Sequence, residues 1–314
     1  MLKKTPPSEN KITTPKNPTV GYMLALATAV CFTINSVGIR YVFKTNTDLT
    51  VSSGIFWGFI GAILFFSPYY ILSQKARKRL ITTFRRDGKV VFAIAILTST
   101  GAVLWIWALK YAIVGAVSLL AKTLVIHSAI LGFIFLKERF TLIEGIGFIA
   151  VIPGVILIST LTTEVDPRAV WAILISAFIY AIQSLLVKKF APNLHGMEFT
   201  FLRASFMVMI FGSAFYSFGL IQKIPIMTVA LLGIVSVSGL MFGRAFYFEA
   251  HKYLDISKLN TTMLIEPVFV LIIAYFFLSE SLSLTKISGT LFILGGLYLI
   301  IHKNLRRKTS KNLQ

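Results

Sequence analysis

Apolar residues occur along this chain in runs of about twenty, separated by short polar punctuation. The run cores cover residues 20–39, 52–72, 90–109, 114–136 and 142–161, then 170–187, 197–218, 226–250, 256–278 and 284–301. A helix rises about 1.5 Å per residue, so roughly 20 apolar residues cross about 30 Å of hydrocarbon. The pattern therefore predicts an all-α membrane protein with ten transmembrane helices. The connections are short, the longest being a basic stretch at 73–89 read as a loop, and none is long enough to fold as a separate soluble domain. Residues 1–19 are polar and Pro-rich and read as a disordered tail; 303–314 read as a basic tail. The head contains Glu9 and no arginine, and no small-residue cleavage site follows a short apolar core, so the first span is expected to be retained.

Composition supports the membrane reading. The chain is 56% hydrophobic and only 14% charged, with a mean hydropathy of +0.80, against about 25% charged residues in soluble domains. The net charge of +19 raises nucleic acid as a partner. The basic residues form no groove-tracking stripe with interleaved aromatics, however, so nucleic acid is excluded. With the N-terminus inside, 22 of the 31 Lys and Arg residues fall in internal segments and 6 outside, namely Arg40, Lys44, Lys110, Arg168, Lys223 and Lys286. That asymmetry predicts both termini in the cytoplasm and residence in the cytoplasmic (inner) membrane. The one cysteine, Cys31, lies in the first span, so neither a disulfide framework nor a cysteine metal site is expected.

An internal repeat organises the spans. Shifted by 142 residues, "FLKERFTLIEGIGFIAVIPGVIL" (135–157) lies over "FLSESLSLTKISGTLFILGGLYL" (277–299), pairing Glu138 with Glu280, Gly147 with Gly289 and Gly154 with Gly296. Upstream, "INSVGIR" (34–40) faces "IQSLLVK" (182–188), which makes Asn35 and Gln183 equivalent. The units are residues 20–161 and 170–302, five spans each. Five is odd, so the second unit enters from the opposite side, an inverted repeat of the kind that builds alternating-access carriers.

These spans, the short "LKE" and "LSE" turns after the fourth and ninth of them, "FLRASF" (201–206) and "IEPVFVLIIAYFFLSE" (265–280) resemble the EamA family of the drug/metabolite transporter superfamily. The resemblance runs over about residues 20–302. It implies a secondary carrier for amino acids, other metabolites or toxic amphiphiles, acting mostly outward. The first repeat departs from the pattern, with Leu124-Val125 where the second has Glu266-Pro267, and Trp57 near the place of Arg203.

Charged side chains at bilayer depth cost at least about 2.5–3.5 kcal/mol on insertion scales, so they face protein or water and mark candidate sites. Glu266 lies roughly 15 Å inside its span by residue count. Pro267 removes the N–H that would serve the Met263 carbonyl. Glu266-Pro267 therefore reads either as a kink facing an aqueous path, with that carbonyl freed into a cavity, or as a packed kink with Glu266 paired to Arg244 or Arg203. Lys122 has no acidic residue in the first four spans to pair with. His127, one turn beyond the position equivalent to Glu266, reads as a carrier of a coupling proton or as a hydrogen-bonded packing residue. Arg203 and Arg244 both lie about 9 Å from the cytoplasmic face by residue count, where an acid or an incoming carboxylate would meet them. Asn35 and Gln183 line the path or bond across helices. Trp105 and Trp107 read as interfacial anchors or as a stacking wall. Glu249 reads as a surface ion pair with Lys252, Glu138 and Glu280 as helix N-terminal residues, and the repeat glycines as close-packing surfaces.

Motifs of metalloproteases, phosphate-binding loops and serine hydrolases are missing from the sequence, as is a nucleotide-binding domain. Enzyme activity and cofactors are not expected. The expected partners are a small-molecule substrate, with or without a coupling proton, and the lipid bilayer. The function that fits is a secondary transporter moving a small organic metabolite by alternating access, as an exporter. The alternatives are a non-transporting membrane partner protein, or an importer or exchanger of an organic anion or nucleotide-like metabolite.

Overall fold

A computed structural model of the chain describes residues 18–136, 142–160, 166–190, 195–250, 253–254, 259, 262–281 and 283–311. The apolar runs form helices, the one open-ended element that satisfies its own backbone N–H and C=O groups in hydrocarbon. In chain order they are α1 (Pro18–Thr45), α2 (Val51–Leu72), α3 (Gln74–Tyr111), α4 (Val114–Ala121), α5 (Leu124–Leu136), α6 (Leu142–Thr160), α7 (Pro167–Phe190), α8 (Gly196–Ser217) and α9 (Ile226–Ser236). A π-helical segment (Val237–Gly243) leads into α10 (Arg244–Ala250), and a 3₁₀ turn (Met263–Ile265) leads into α11 (Glu266–Leu278), with α12 (Leu284–Lys311) last. Among the described residues, six segments are long and apolar enough to cross a membrane: Pro18–Thr45, Val51–Leu72, Gln74–Tyr111, Pro167–Val187, Gly196–Ser217 and Ile226–Ala250. Shorter apolar stretches occur at Val114–Ser128, Gly145–Leu157, Met263–Leu278 and Leu284–Leu299. This is an all-α, multi-pass membrane fold.

The basic stretch at 73–89 is helix rather than loop. Ser73 ends α2 and caps α3, its hydroxyl accepting from the Ala76 N–H at 3.3 Å. The stretch holds seven Lys and Arg residues, which are good helix formers, together with Gln74, Ala76 and Leu80, and it holds no proline. Helix α3 thus runs for 38 residues, about 57 Å, nearly twice the hydrocarbon thickness of about 30 Å. Its basic end turns Ala76, Thr83 and Asp87 inward and holds Glu198 of α8 through Arg79 at 2.9 Å. Lys75, Arg77, Lys78, Arg85 and Lys89 are exposed.

Packing follows the rules of lipid, where helix association relies on close van der Waals approach. Helix α1 lies against α9, the π segment, α10 and α11, whereas α7 lies against α3, α4 and α5. Helices α6 and α12 share the most extensive contact. There a Cβ on Gly154 would fall 2.8 Å from the Gly289 carbonyl oxygen, and one on Gly296 would fall 2.6 Å from that of Gly147, so these four glycines bring backbones together, whereas a Cβ on Gly295 would meet nothing within 4 Å. Leu64, Phe65, Trp171, Met209, Phe276 and Phe277 point outward with over 60% of their surface exposed, as suits side chains facing acyl chains.

One end of the bundle is tied by a polar cluster. Arg40 reaches Glu280 at 3.8 Å and donates to the carbonyls of Leu109 and Lys110. Lys44 donates to the Leu278 carbonyl, and Lys110 to that of Leu49 at 2.6 Å. The expectation that Glu280 serves the N-terminus of its own following helix is corrected here. Ser279 adopts a left-handed conformation (φ 53°) that stops α11 and turns the chain back. The Glu280 carboxylate then accepts from Val114 N–H at 3.0 Å and Gly115 N–H at 3.5 Å, capping α4 instead. Glu138 lies outside the described residues.

Candidate functional site

Two interrupted helices meet at the centre of the fold. The first interruption lies between α4 and α5. Lys122 N–H bonds the Leu119 carbonyl at 3.0 Å, Thr123 N–H that of Leu120 at 3.1 Å, and Val125 N–H that of Lys122 at 3.0 Å. These are i→i+3 bonds, which tighten one turn away from α-helical geometry. The Thr123 hydroxyl donates to the same Leu120 carbonyl at 2.7 Å, so it competes with the α-helical ladder. This span breaks without a proline.

The second interruption is the 3₁₀ turn before α11. The Met263 carbonyl, expected to be freed by Pro267, is occupied: the Glu266 N–H bonds it. The missing proline donor is replaced by its neighbour one residue earlier, and Pro267 sits in the first turn of α11, where its fixed φ suits a helix start. Pro267 is buried behind Glu266 and does not line the cavity described below.

Lys122 and Glu266 stand at these two breaks and bond each other, Nζ to Oε2 at 2.5 Å, with side chains 14% and 3% exposed. Neither Arg244 nor Arg203 is the partner of Glu266, which corrects the expected pairing. The acid that Lys122 lacks in the first four spans comes from the second half of the chain. The pair lines a cavity of about 170 Å³ that also takes in Asn35, Trp105, Tyr180, Arg203 and Arg244.

The arginines are held in different ways. Arg203, on α8, is 1% exposed. Its Nη1 lies 3.3 Å from the Thr98 hydroxyl, and its Nε has no hydrogen-bond partner among the described residues. Arg244 lies over the Tyr180 ring at 4.5 Å and near Phe32 at 5.5 Å, in cation–π geometry. The π segment immediately before it sets its direction. One extra residue in a helical turn swings everything beyond it by about 100°. Asn35 braces that segment, donating to the Val235 carbonyl at 3.0 Å, and the Ser238 hydroxyl donates to the same oxygen at 2.8 Å. Gly239 leaves room for this, since a Cβ there would fall 2.4 Å from Asn35 Cβ.

Three other sequence candidates fall outside the cavity lining. His127 meets the Phe178 ring edge-on at 5.6 Å, and its Nδ1 has no partner among the described residues. Gln183 is 2% exposed, with Nε2 likewise unpartnered. Trp107 packs on Tyr111 at 4.8 Å. Sequence reasoning did not single out Tyr180, Tyr247 or Ser184, all cavity-lining. The signal for Tyr180 and Ser184 was their place within one turn of Gln183. Glu249 has Lys252 as its expected partner, which lies outside the described residues.

Among the described residues the cavity lining holds, formally, three cations and one carboxylate, of which Lys122 and Glu266 stand at the breaks of two helices. Unwound backbone and charge at such depth are tolerated where they line a solute path. One solved structure, described as "Crystal structure of protein", shares 14% identity and a TM-score of 0.56, over 90% of this chain and 94% of that one, a likeness of fold alone. A comparison with curated protein sequences gave no match. The sequence model of the EamA-like transporter family, by contrast, matches twice in tandem, at residues 19–160 and 167–302. With nearly all the chain matched, and with charged helix breaks around a central cavity, this protein belongs to the EamA-like transporter family, and is a membrane transporter of small solutes rather than an enzyme.

Proposed function

We propose that the chain is a secondary transporter carrying a small organic metabolite across the cytoplasmic membrane by alternating access, as an exporter. In this reading ten spans form an inverted repeat of two five-helix units, residues 20–161 and 170–302, with the solute in the cavity between them. Both termini are cytoplasmic and the Arg40–Glu280 end faces outward. The observation that carries the reading is the meeting of two broken helices at a buried ion pair, since discontinuous helices at mid-depth are the usual solute and ion sites of such carriers.

Several features support the repeat. The breaks at Lys122–Thr123 and Met263–Ile265 fall at equivalent positions under the 142-residue shift. Helix contacts also exchange in register. Helix α1 meets the α9–π–α10 run and α11, and α7 correspondingly meets α3 and the α4–α5 pair. Helix α2 meets α9 as α8 meets α3, and α6 meets its own counterpart α12. With the Arg40 cluster closed, the outer end is shut, and opening it requires the contacts of Arg40, Lys44 and Lys110 to part.

Counterflow in proteoliposomes tests the proposal. Vesicles preloaded with a mixture of amino acids, organic acids, nucleosides and cationic dyes should accumulate at least one labelled member. Empty vesicles, and vesicles holding the Lys122→Gln protein, should not. Equal accumulation with and without the protein across the mixture would end the carrier reading.

A further inference from the structure

Charged side chains line the cavity, and the Lys122–Glu266 bond leaves some of them free to meet a solute and others not. A zwitterionic, amino-acid-like solute needs a cation for its carboxylate and a free acceptor for its ammonium. Among the described residues the one carboxylate lining the cavity, Glu266, is already bonded to Lys122 at 2.5 Å. The two guanidinium groups are in the opposite condition. Among the described residues no carboxylate lies within ion-pair distance of either Arg203 or Arg244. Arg244 rests on the Tyr180 ring, and Arg203 has one hydroxyl contact and an unpartnered, fully buried Nε. Both guanidinium groups line the same cavity. Buried like charges with unfilled donors are costly unless an anion completes them.

We infer that the transported solute is a net-negative organic anion, its carboxylate or phosphate bound between Arg203 and Arg244, with an apolar or planar body against Trp105 and Phe32. This rests on the carrier reading above and narrows it. A guanidinium fork matches the two oxygens of such a group. The aromatic walls and the volume of about 170 Å³ suit a body no larger than a single ring with a short chain. The Lys122–Glu266 pair stays closed to this solute and supplies no net charge.

The test uses counterflow with the full chain and three scaffolds (phenyl, pyridyl and straight-chain aliphatic), each offered as carboxylate, neutral amide and amine, with phosphomonoesters of the phenyl and aliphatic scaffolds added. Anionic members should exchange at least about 10-fold faster than their amides, and the amines should not exchange. Arg244→Gln should reduce anion exchange by roughly 10- to 100-fold, the weight of one or two charge-assisted hydrogen bonds, and leave amide rates unchanged. Arg203→Gln is at risk of misfolding because the residue is buried, so Arg203→Lys is the companion. It keeps the charge but loses the fork, and should slow anions by less than Arg244→Gln does. Amides or amines exchanging as fast as the anions, or Arg244→Gln slowing every member alike, would overturn the charge assignment while leaving the carrier standing. Exchange of no member at all would overturn both.

Discussion

Removing one member of the Lys122–Glu266 pair leaves its partner charged and largely buried in the cavity, and the structure says which removal is worse. The pair is largely buried and spans the two halves of the chain. Taking charge centres about 4 Å apart and an effective dielectric of about 20 gives about 4 kcal/mol of attraction. Breaking a buried pair from one side costs about 3–5 kcal/mol, whereas replacing both partners together is often close to neutral. Glu266→Gln leaves Lys122 beside Arg203 and Arg244, three cations with no acid lining the cavity. Lys122→Gln leaves a carboxylate in the field of two arginines, which partly compensate it. The expected order of stability is therefore wild type, then the Lys122→Gln/Glu266→Gln double variant, then Lys122→Gln, with Glu266→Gln last. The interaction energy from the cycle should be about 3 kcal/mol. Membrane abundance and unfolding of the detergent-purified proteins in denaturant measure this directly. If Glu266→Gln were as stable as wild type, or the double variant no better than its worse parent, the ion pair would not be a stabilising contact. If Lys122→Gln were the worse of the two, the net positive field assigned to the cavity would be wrong.

Three further outcomes are expected. Glu280→Gln weakens both the Arg40 contact and the cap on α4, so on a Cys31→Ser background a thiol at Ala102→Cys in the cavity should react severalfold faster with a membrane-impermeant reagent added outside; an unchanged rate would remove the cluster's role as a closure. Gly239→Ala puts a Cβ 2.4 Å from Asn35 Cβ, an overpacking worth about 1–3 kcal/mol, visible as reduced abundance and not rescued by Asn35→Ala, which keeps the offending atom; normal abundance would mean that the π segment slides freely along α1. For orientation, cysteines at Thr82 and Gln222 on the same Cys31→Ser background should label oppositely in intact cells, Gln222 from outside and Thr82 only after permeabilisation; the reverse would invert the proposed topology.

Much of this protein is legible in one dimension, because hydrocarbon imposes a length rule. A helix in a membrane must be apolar for about 30 Å, whatever its neighbours are. The runs at 20–39, 52–72 and 226–250 therefore announce helices α1, α2 and α9–α10 directly. The same rule makes Lys122, Arg203, Arg244 and Glu266 conspicuous as misfits, and all four line one cavity. Their pairing was not legible, because contacts across the bundle join residues far apart in sequence; Lys122 and Glu266 are 144 positions apart. Rotation about helix axes was equally hidden. Trp105 and Trp107 stand two residues apart, about 200° around α3, so the first faces the cavity and the second packs on Tyr111. An apolar run is apolar all round, so hydrophobicity does not say which side turns inward. The break at Lys122–Thr123 carries no proline to mark it, and it depends on a threonine hydroxyl taking a carbonyl that an intact helix would use. Turning Glu280 back onto α4 took one left-handed residue and a neighbouring helix whose N–H groups needed an acceptor. Length and solvent are local properties of the chain, whereas pairing, facing and capping exist only once the helices have packed.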